Sequence, residues 1–324
     1  MPDLSEFVSF VARKSKVKNT SLIEKDVMLH RILKEFCSSP LSANYLFKGG
    51  SCLVKCYFGY YRFSVDLDFT WRDQEAWKGL GEKRLRRKLS AEIKRLASFL
   101  AKVSGELNLE FKVGPGERKF MEFGGGGRMA TFKLWRGSEL IKIQVNFVEK
   151  LLFPPKVAKA RTLLGGVKLS RDERVYFGEF LDFYRPFELM AYDGREILCE
   201  KVRAILTRRA QKLRDFYDLF VLSTHGFKLE NLRREIAEKV RASLYYMKYR
   251  ENLDRNRKEL EVDVGTLEDP FERSLLMVKP RKDFEDFLKL AREGLREIAG
   301  GVISGGTLTH DYGVKEFKKI DFVG

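Results

Sequence analysis

Apolar positions along the chain follow two different periods. Spacings of three to four residues predict amphipathic helices at residues 4–14, 21–36, 83–104 and 283–299. Strict alternation predicts strands at residues 63–70, 107–113, 129–135 and 139–148. Ser21, with Glu24 three residues later, predicts a capping box at the start of the second helix. Helices and strands mixed in this way predict an α/β protein in which helices cover a sheet.

A glycine pair interrupts the pattern directly after a short apolar strand at 45–47. Gly49 and Gly50 permit a sharp turn, so Ser51 is placed to open a helix. The backbone N–H groups at a helix start favour an anion such as a phosphate, and Lys48 adds positive charge beside them. Ser51 adds a hydroxyl as an N-cap or a phosphate donor. The alternative is an ordinary tight turn.

Two carboxylates share one face of the strand that follows. Because side chains alternate along a strand, Ser64, Asp66 and Asp68 point away from the apolar residues between them. Two close anions repel unless a cation neutralises them, and hard oxygen ligands suit Mg²⁺ with its waters and substrate phosphates. A phosphate-binding turn beside a metal-binding strand predicts phosphoryl or nucleotidyl transfer. A solvated edge strand is the alternative.

These motifs resemble a known family. Lys48-Gly49-Gly50-Ser51 followed by Arg62-x-Ser64-x-Asp66-Leu67-Asp68-Phe69 is similar to the sequence of AbiEii/AbiGii-type toxins, relatives of the MenT toxins in the DNA polymerase beta superfamily. The resemblance implies a polymerase-beta-type nucleotidyltransferase lobe with a mixed sheet at residues 1–184 and a mainly helical, basic lobe at 185–324. It also implies that Gly50 and Ser51 cradle an NTP, that Lys48 and Arg62 neutralise its phosphates, and that Asp66 and Asp68 hold Mg²⁺.

A second block of similarity falls between residues 195 and 222, where one or two helices are predicted. The residues that carry this similarity are Lys201, Arg208, Asp215 and Asp218. In the family, the corresponding lysine reaches the nucleotide phosphates, while the corresponding arginine and aspartates orient the site. The spacing of seven between the first three predicts a common helical stripe. A solvated charged face is the alternative for this stretch.

The strand at 139–148 departs from the superfamily, in which it usually carries a third carboxylate. Gln144 and Asn146 occupy its polar face, and Glu149 lies nearby with the opposite strand parity. Without that anion a second metal position is weakened, and the base for the attacking hydroxyl is missing. Slow transfer, one-metal transfer and loss of transfer remain open.

Charge points to a polyanionic partner. In 324 residues, 62 lysines and arginines exceed 46 acids and give a net charge of +16, which favours RNA, DNA or nucleotides. The excess is concentrated between Arg195 and Lys258, and Tyr245, Tyr246 and Tyr249 in that lobe suit stacking on unpaired bases or, alternatively, ordinary packing. A highly charged surface also suits heat adaptation, and this explanation is compatible with a polyanionic partner.

Composition limits the setting. The cysteines show no Cys-x-x-Cys pair and lie in apolar surroundings, which predicts reduced core thiols in a cytoplasmic protein. No apolar run of about 18 residues occurs, so neither a membrane span nor an export signal is predicted.

The function predicted is therefore nucleotidyl transfer from an NTP. The relatives imply an RNA acceptor such as the tRNA 3′ end and a toxin with a cognate antitoxin protein. An NTP-binding protein without transfer activity and a nucleic-acid-binding module are the alternatives.

Overall fold

The computed structural model describes residues 2–114, 116–260, 268–278, 280 and 282–304. Its contacts divide the chain into two compact units. Unit 1 comprises the described residues as far as Glu149 together with Pro155–Tyr192. Unit 2 comprises Lys150–Pro154 and the described residues from Asp193 onward.

Unit 1 is built on a mixed sheet with helices around it. Its elements are α1 (Leu4–Ser15), α2 (Thr20–Ser38), β1 (Tyr45–Lys48), α3 (Gly49–Cys52), β2 (Asp66–Trp71), α4 (Glu82–Glu106), β3 (Met121–Gly124), β4 (Met129–Arg136), β5 (Glu139–Asn146), β6 (Lys156–Ala160), α5 (Arg171–Tyr176), α6 (Gly178–Phe183) and β7 (Phe187–Ala191). The described strands form a seven-stranded sheet in the order β3-β4-β5-β2-β1-β7-β6. The pairs β2–β5 and β1–β7 are parallel and the others antiparallel. The predicted α/β class with a mixed sheet is confirmed.

Aromatic packing decides which face of the sheet carries the polar residues. Phe36 of α2 lies 4.6 Å from Phe69 of β2 and 5.7 Å from Phe99 of α4, measured between ring centroids. The two helices therefore cover the face that carries Phe69. Because side chains alternate along β2, Asp66 and Asp68 point to the opposite face, as the sequence predicts.

A buried polar cluster ties α2 to the segment after α3. A π-helical turn, Leu53–Phe58, continues α3, and Lys55 within it donates to Asp26 of α2 at 2.6 Å. The hydroxyls of Tyr60 and Tyr184 donate to the same carboxylate at 2.9 and 2.6 Å. Breaking such a buried pair from one side costs about 3–5 kcal/mol, because the other charge is left without compensation. Asp26 therefore fixes where α3 can lie.

Three local predictions differ from the structure. The N-cap of α2 is Asn19, whose side chain accepts from the N–H of Leu22, so Ser21 lies inside the helix. The strand predicted at 107–113 is absent from the described residues, which show only a bridge between Glu110 and Trp135. The strand does not form because Asn108, just after the end of α4, adopts a φ of 53°, which interrupts an extended backbone. The helix predicted to open at Ser51 begins at Gly49.

Unit 2 is helical throughout its described elements. These are α7 (Gly194–Thr207), α8 (Leu213–Thr224), α9 (Arg233–Ser243), α10 (Met247–Glu259), α11 (Pro270–Ser274) and α12 (Lys282–Ser304). Phe220 of α8 packs 5.4 Å from both Phe284 and Phe287 of α12, measured between ring centroids. The glycine-rich tail that follows α12, for which the sequence predicts no chemistry, extends outside the described residues.

A buried ion pair attaches the short segment Lys150–Pro154 to this unit. Lys239 of α9 lies 2.8 Å from Glu196 of α7, and both side chains are almost fully buried. The same Glu196 carboxylate accepts from the backbone N–H groups of Leu152 and Phe153 at 2.8 Å each. The segment after Glu149 is therefore fixed to unit 2 by hydrogen bonds to a charged group.

Candidate nucleotide and metal site

The glycine turn of α3 lies directly against one of the two predicted carboxylates. Lys48 of β1 is the register partner of Asp68 of β2, and Gly49 follows with a φ of 74°. A Cβ on Gly49 would stand 2.3 Å from Oδ2 of Asp68, which is closer than two such atoms can approach. Both the backbone angle and the space therefore require glycine.

The second glycine accommodates a buried guanidinium. A Cβ on Gly50 would stand 2.2 Å from Nη2 of Arg62. The Arg62 residue is 2% exposed, and its Nη1 donates to the carbonyl of Phe63 at 2.8 Å. Arg62 thus supports the turn from inside the unit, directly behind Gly50.

Ser51 joins the turn to β2. Its hydroxyl is fully buried, donates to the carbonyl of Asp66 and lies 2.7 Å from the hydroxyl of Ser64. The residue before α3 is Lys48, and no side chain caps the helix. Ser51 is therefore not the N-cap; it fixes the turn to the strand that carries the carboxylates, while the first backbone N–H groups of α3 have no helical acceptor.

Cations compensate the carboxylates on this face. The ammonium of Lys142 on β5 lies 3.3 Å from Oδ2 of Asp66. Lys48 is 4% exposed, lies 3.9 Å from Oε2 of Glu149 and sits 5.6 Å from the ring centroid of Tyr192. Lys142 was not among the predicted site residues. It lies two residues before Gln144, and strand alternation could therefore have predicted it on the same face.

The third position beside the carboxylates is occupied by an amide. Gln144 of β5 is the register partner of Asp68, and its Nε2 donates to the hydroxyl of Thr131 at 3.3 Å. Strand β5 ends at Asn146, so Glu149 lies outside the strand and the alternation of faces along β5 does not decide where its side chain points. The Glu149 carboxylate instead accepts from the Asn146 amide at 3.0 Å.

The donor set fits a metal ion shared with a substrate. Asp66 and Asp68 offer hard oxygens from one strand face, and among the described residues no group of three or more acidic, histidine or cysteine side chains could hold a metal. Mg²⁺ commonly takes one or two carboxylates and completes its octahedron with waters and substrate phosphates. The residues present suit that mode of binding, with Lys142 beside Asp66 as a competing cation.

The residues of the second sequence block form a compact ion cluster in unit 2. The ammonium of Lys201 lies 2.7 Å from Oδ1 of Asp215 and 2.6 Å from Oδ2 of Asp218, and Arg208 pairs with the other oxygen of Asp215. Burial alone would raise the pKa of Asp215, but the charges of Lys201 and Arg208 outweigh it and lower the pKa below the ordinary range. Asp215 is therefore ionised at neutral pH.

Their spacing predicts that Lys201, Arg208 and Asp215 share one helical stripe, and this prediction is wrong. Lys201 lies within α7, Arg208 follows its last residue and Asp215 lies in α8. The interruption is stabilised by α10, where the amide of Asn256 donates to the carbonyls of Leu206 and Arg208 at 3.0 and 2.8 Å. Those carbonyls have no helical donor at the end of α7, so a distant side chain supplies one.

The tyrosines predicted for base stacking lie at the start of α10. Tyr246 stacks edge-on against both Tyr245 and Tyr249, with ring centroids 5.3 and 5.4 Å apart. Only Tyr245 is exposed, at 69%. Most of this aromatic surface is used in packing within the unit.

Two comparisons with known proteins bear on this chain. Residues 31–298 match the family model described as nucleotidyl transferase AbiEii toxin, Type IV TA system. No curated protein matches the chain. The structure also shows no helix in its described residues that is long and apolar enough to cross a membrane.

Gly49→Ala should destabilise the protein more than Gly79→Ala. Both glycines have a positive φ, 74° and 67°, but a Cβ on Gly79 meets open space. The φ penalty is thus common to both variants, and the extra loss for Gly49, about 1–3 kcal/mol, measures the forced displacement of Asp68. Urea unfolding of both variants gives this difference. Equal losses would show that the turn tolerates a side chain beside Asp68.

Proposed function

We propose that this chain, which belongs to the nucleotidyl transferase AbiEii toxin family, transfers a nucleoside monophosphate from an NTP to an acceptor hydroxyl. The observation that carries the proposal is the close approach of the Gly49 backbone to the Asp68 carboxylate. A turn suited to phosphate and a strand suited to a metal ion are thereby joined in one place.

Each predicted site residue of unit 1 has a proposed role. The N–H groups of Gly49, Gly50 and Ser51 hold the phosphates, and Lys48 stabilises their charge. Arg62 and Ser64 act as positioning residues, because Arg62 is buried behind Gly50 and Ser64 is bonded to Ser51. Mg²⁺ held by Asp66 and Asp68 would supply charge neutralisation at the reacting phosphate.

The bond changes follow the general chemistry of NTP donors. The acceptor hydroxyl loses its proton to water and its oxygen forms a bond to the α-phosphorus, the bond from that phosphorus to the bridging oxygen breaks, and pyrophosphate leaves. Negative charge grows on the phosphates during transfer, and a positioned ammonium stabilises it. We assign that role to Lys201. Asp215 and Asp218 hold its ammonium in place, and Arg208 is anchored by Asp215.

The acceptor we propose is RNA, such as the 3′ end of a tRNA, and the setting is the cytoplasm. The net charge of +16 supports a polyanionic acceptor. The family description supports action as a toxin whose activity a cognate antitoxin protein counteracts.

One observation favours a second function, NTP binding without transfer. Gln144 stands opposite Asp68 where a third carboxylate would complete the metal environment. An amide neither attracts a cation strongly nor accepts a proton from the attacking hydroxyl. A protein of this kind would bind NTP and release no pyrophosphate.

Transfer should require both carboxylates of β2. We expect α-labelled NTP, Mg²⁺ and total RNA to give labelled RNA with one preferred NTP. Asp66→Asn and Asp68→Asn should each reduce labelling by about 100-fold or more, the scale on which loss of transition-state charge stabilisation acts. Asp172→Asn, a change at an exposed carboxylate of α5, is the control and should label normally. Absence of label with every NTP, while NTP still binds, would favour the second function.

Gln144→Glu should increase the response to Mg²⁺. The new carboxylate lies beside Asp68, so its repulsion should lower the melting temperature without metal. Bound Mg²⁺ should restore that stability, and the Mg²⁺ concentration for half-maximal transfer should fall. Gln144→Met, which keeps the size without the charge, is the control. Equal Mg²⁺ responses in both variants would place the metal away from this position.

A further inference from the structure

The solvent face of α4 is a continuous surface of positive charge. Every residue from Lys83 to Lys88 except the buried Leu85 is an exposed lysine or arginine. At about 100° per residue, the following side chains fall within an arc of about 140° opposite the apolar face: Lys83, Arg84, Arg87, Lys88, Lys94 and Arg95. We refer to these six residues as the α4 basic face.

Most of this charge has no compensation among the residues that the structure describes. Glu82 pairs with Arg86 and Arg128, and Glu92 pairs with Arg95. Across the described part of the chain, no ion pair or side-chain hydrogen bond involves the cations at 83, 84, 87 and 88. Their charge is therefore directed to solvent.

Such an arrangement opposes the stability of the helix itself. Lys83 lies one turn before Arg87 and Arg84 one turn before Lys88, and like charges at that spacing repel. Positive side chains are also disfavoured in the first turns of a helix, where the macrodipole is positive. A heat-adapted surface would instead alternate charges in ion-pair networks. The α4 basic face lacks that alternation, so an external anion is the partner that would relieve it.

The chemistry of the face identifies the anion. No large apolar side chain is exposed between Lys83 and Lys102, whereas protein interfaces are anchored by apolar and aromatic groups at their centre. A phosphate backbone needs only cations spaced along its path. From Lys83 to Arg95 the helix rises about 18 Å, the length of several nucleotides.

We propose that the α4 basic face binds the sugar-phosphate backbone of the RNA acceptor. An RNA acceptor belongs to the function proposed above, and this surface depends on that proposal. The location differs from the sequence expectation, which assigned RNA binding to the basic lobe after residue 184. Contacts to phosphates hold the RNA without reading its sequence, so α4 supplies affinity and leaves acceptor choice to other residues.

The test is RNA binding by the full chain in the absence of NTP. The probe is unfractionated tRNA labelled at its 5′ end, and binding is measured by fluorescence anisotropy over a series of salt concentrations. One variant carries Lys83→Gln, Arg84→Gln, Arg87→Gln and Lys88→Gln; glutamine keeps helix propensity, so the fold is retained. The control carries Lys18→Gln, Lys159→Gln, Lys168→Gln and Arg171→Gln, which removes the same charge from exposed sites elsewhere.

We expect the α4 variant to bind tRNA at least about 10-fold more weakly near physiological salt, and its log–log salt dependence to be shallower by up to about 3. The control should change affinity by less than about 3-fold. The α4 variant should melt no lower than the wild type, because repulsion is removed from α4. Wild-type affinity in the α4 variant would contradict the proposal that the α4 basic face binds RNA, and an acidic protein would then be the partner to test. Equal losses in both variants would reduce the effect to net charge.

NTP binding separates this surface from the proposed function. We expect the α4 variant to bind NTP with Mg²⁺ as the wild type does, because the four substituted side chains are exposed on α4 and belong to neither the glycine turn nor β2. If the wild type binds no tRNA, the surface and the RNA acceptor both fail, while NTP binding still tests the nucleotide site.

Discussion

The site depends on the fit of two glycine backbones against two charged side chains. Gly49 leaves room for the carboxylate of Asp68, and Gly50 leaves room for the guanidinium of Arg62. The antiparallel pairing of β1 with β2 brings these residues together, although a stretch of chain separates them in sequence. A Cβ at Gly49 would displace Asp68 from the turn, and with it the proposed metal site from the proposed phosphate site, whereas a Cβ at Gly50 would displace the Arg62 guanidinium.

Charge compensation organises both units in the same way. In unit 1, Lys142 lies beside Asp66, one of two carboxylates that would otherwise repel one another on the strand face, and Lys48 lies beside Glu149. In unit 2, Lys201 is held by Asp215 and Asp218. Buried charges are tolerated when paired in this way, and the same pairs fix the direction of side chains that are proposed to meet phosphates. The α4 basic face is the contrast, because among the described residues its cations at 83, 84, 87 and 88 lack such partners and only Arg95 pairs, with Glu92.

Periodicity predicted what depends on neighbours in sequence. The strand parity of Asp66 and Asp68, the amide at Gln144 and the helix of α4 all follow from local spacing. Partners distant in sequence did not follow: Asn256 stabilises the end of α7, and Asp26 meets Lys55 inside the core. The positive φ of Asn108 just after α4 was not predicted either, because residue type does not fix a backbone angle. Spacing alone made Lys201, Arg208 and Asp215 one stripe, whereas tertiary contacts join them across two helices.

Equilibrium binding of NTP tests the central claim most directly, because it addresses the joined turn and strand without requiring an acceptor. Titration calorimetry with each NTP, with and without Mg²⁺, should show binding that depends on Mg²⁺ in the wild type. Asp66→Asn and Asp68→Asn should each abolish that Mg²⁺ dependence and weaken NTP binding by about 10-fold or more. NTP affinity that is the same with and without Mg²⁺, and unchanged in both variants, would contradict the account.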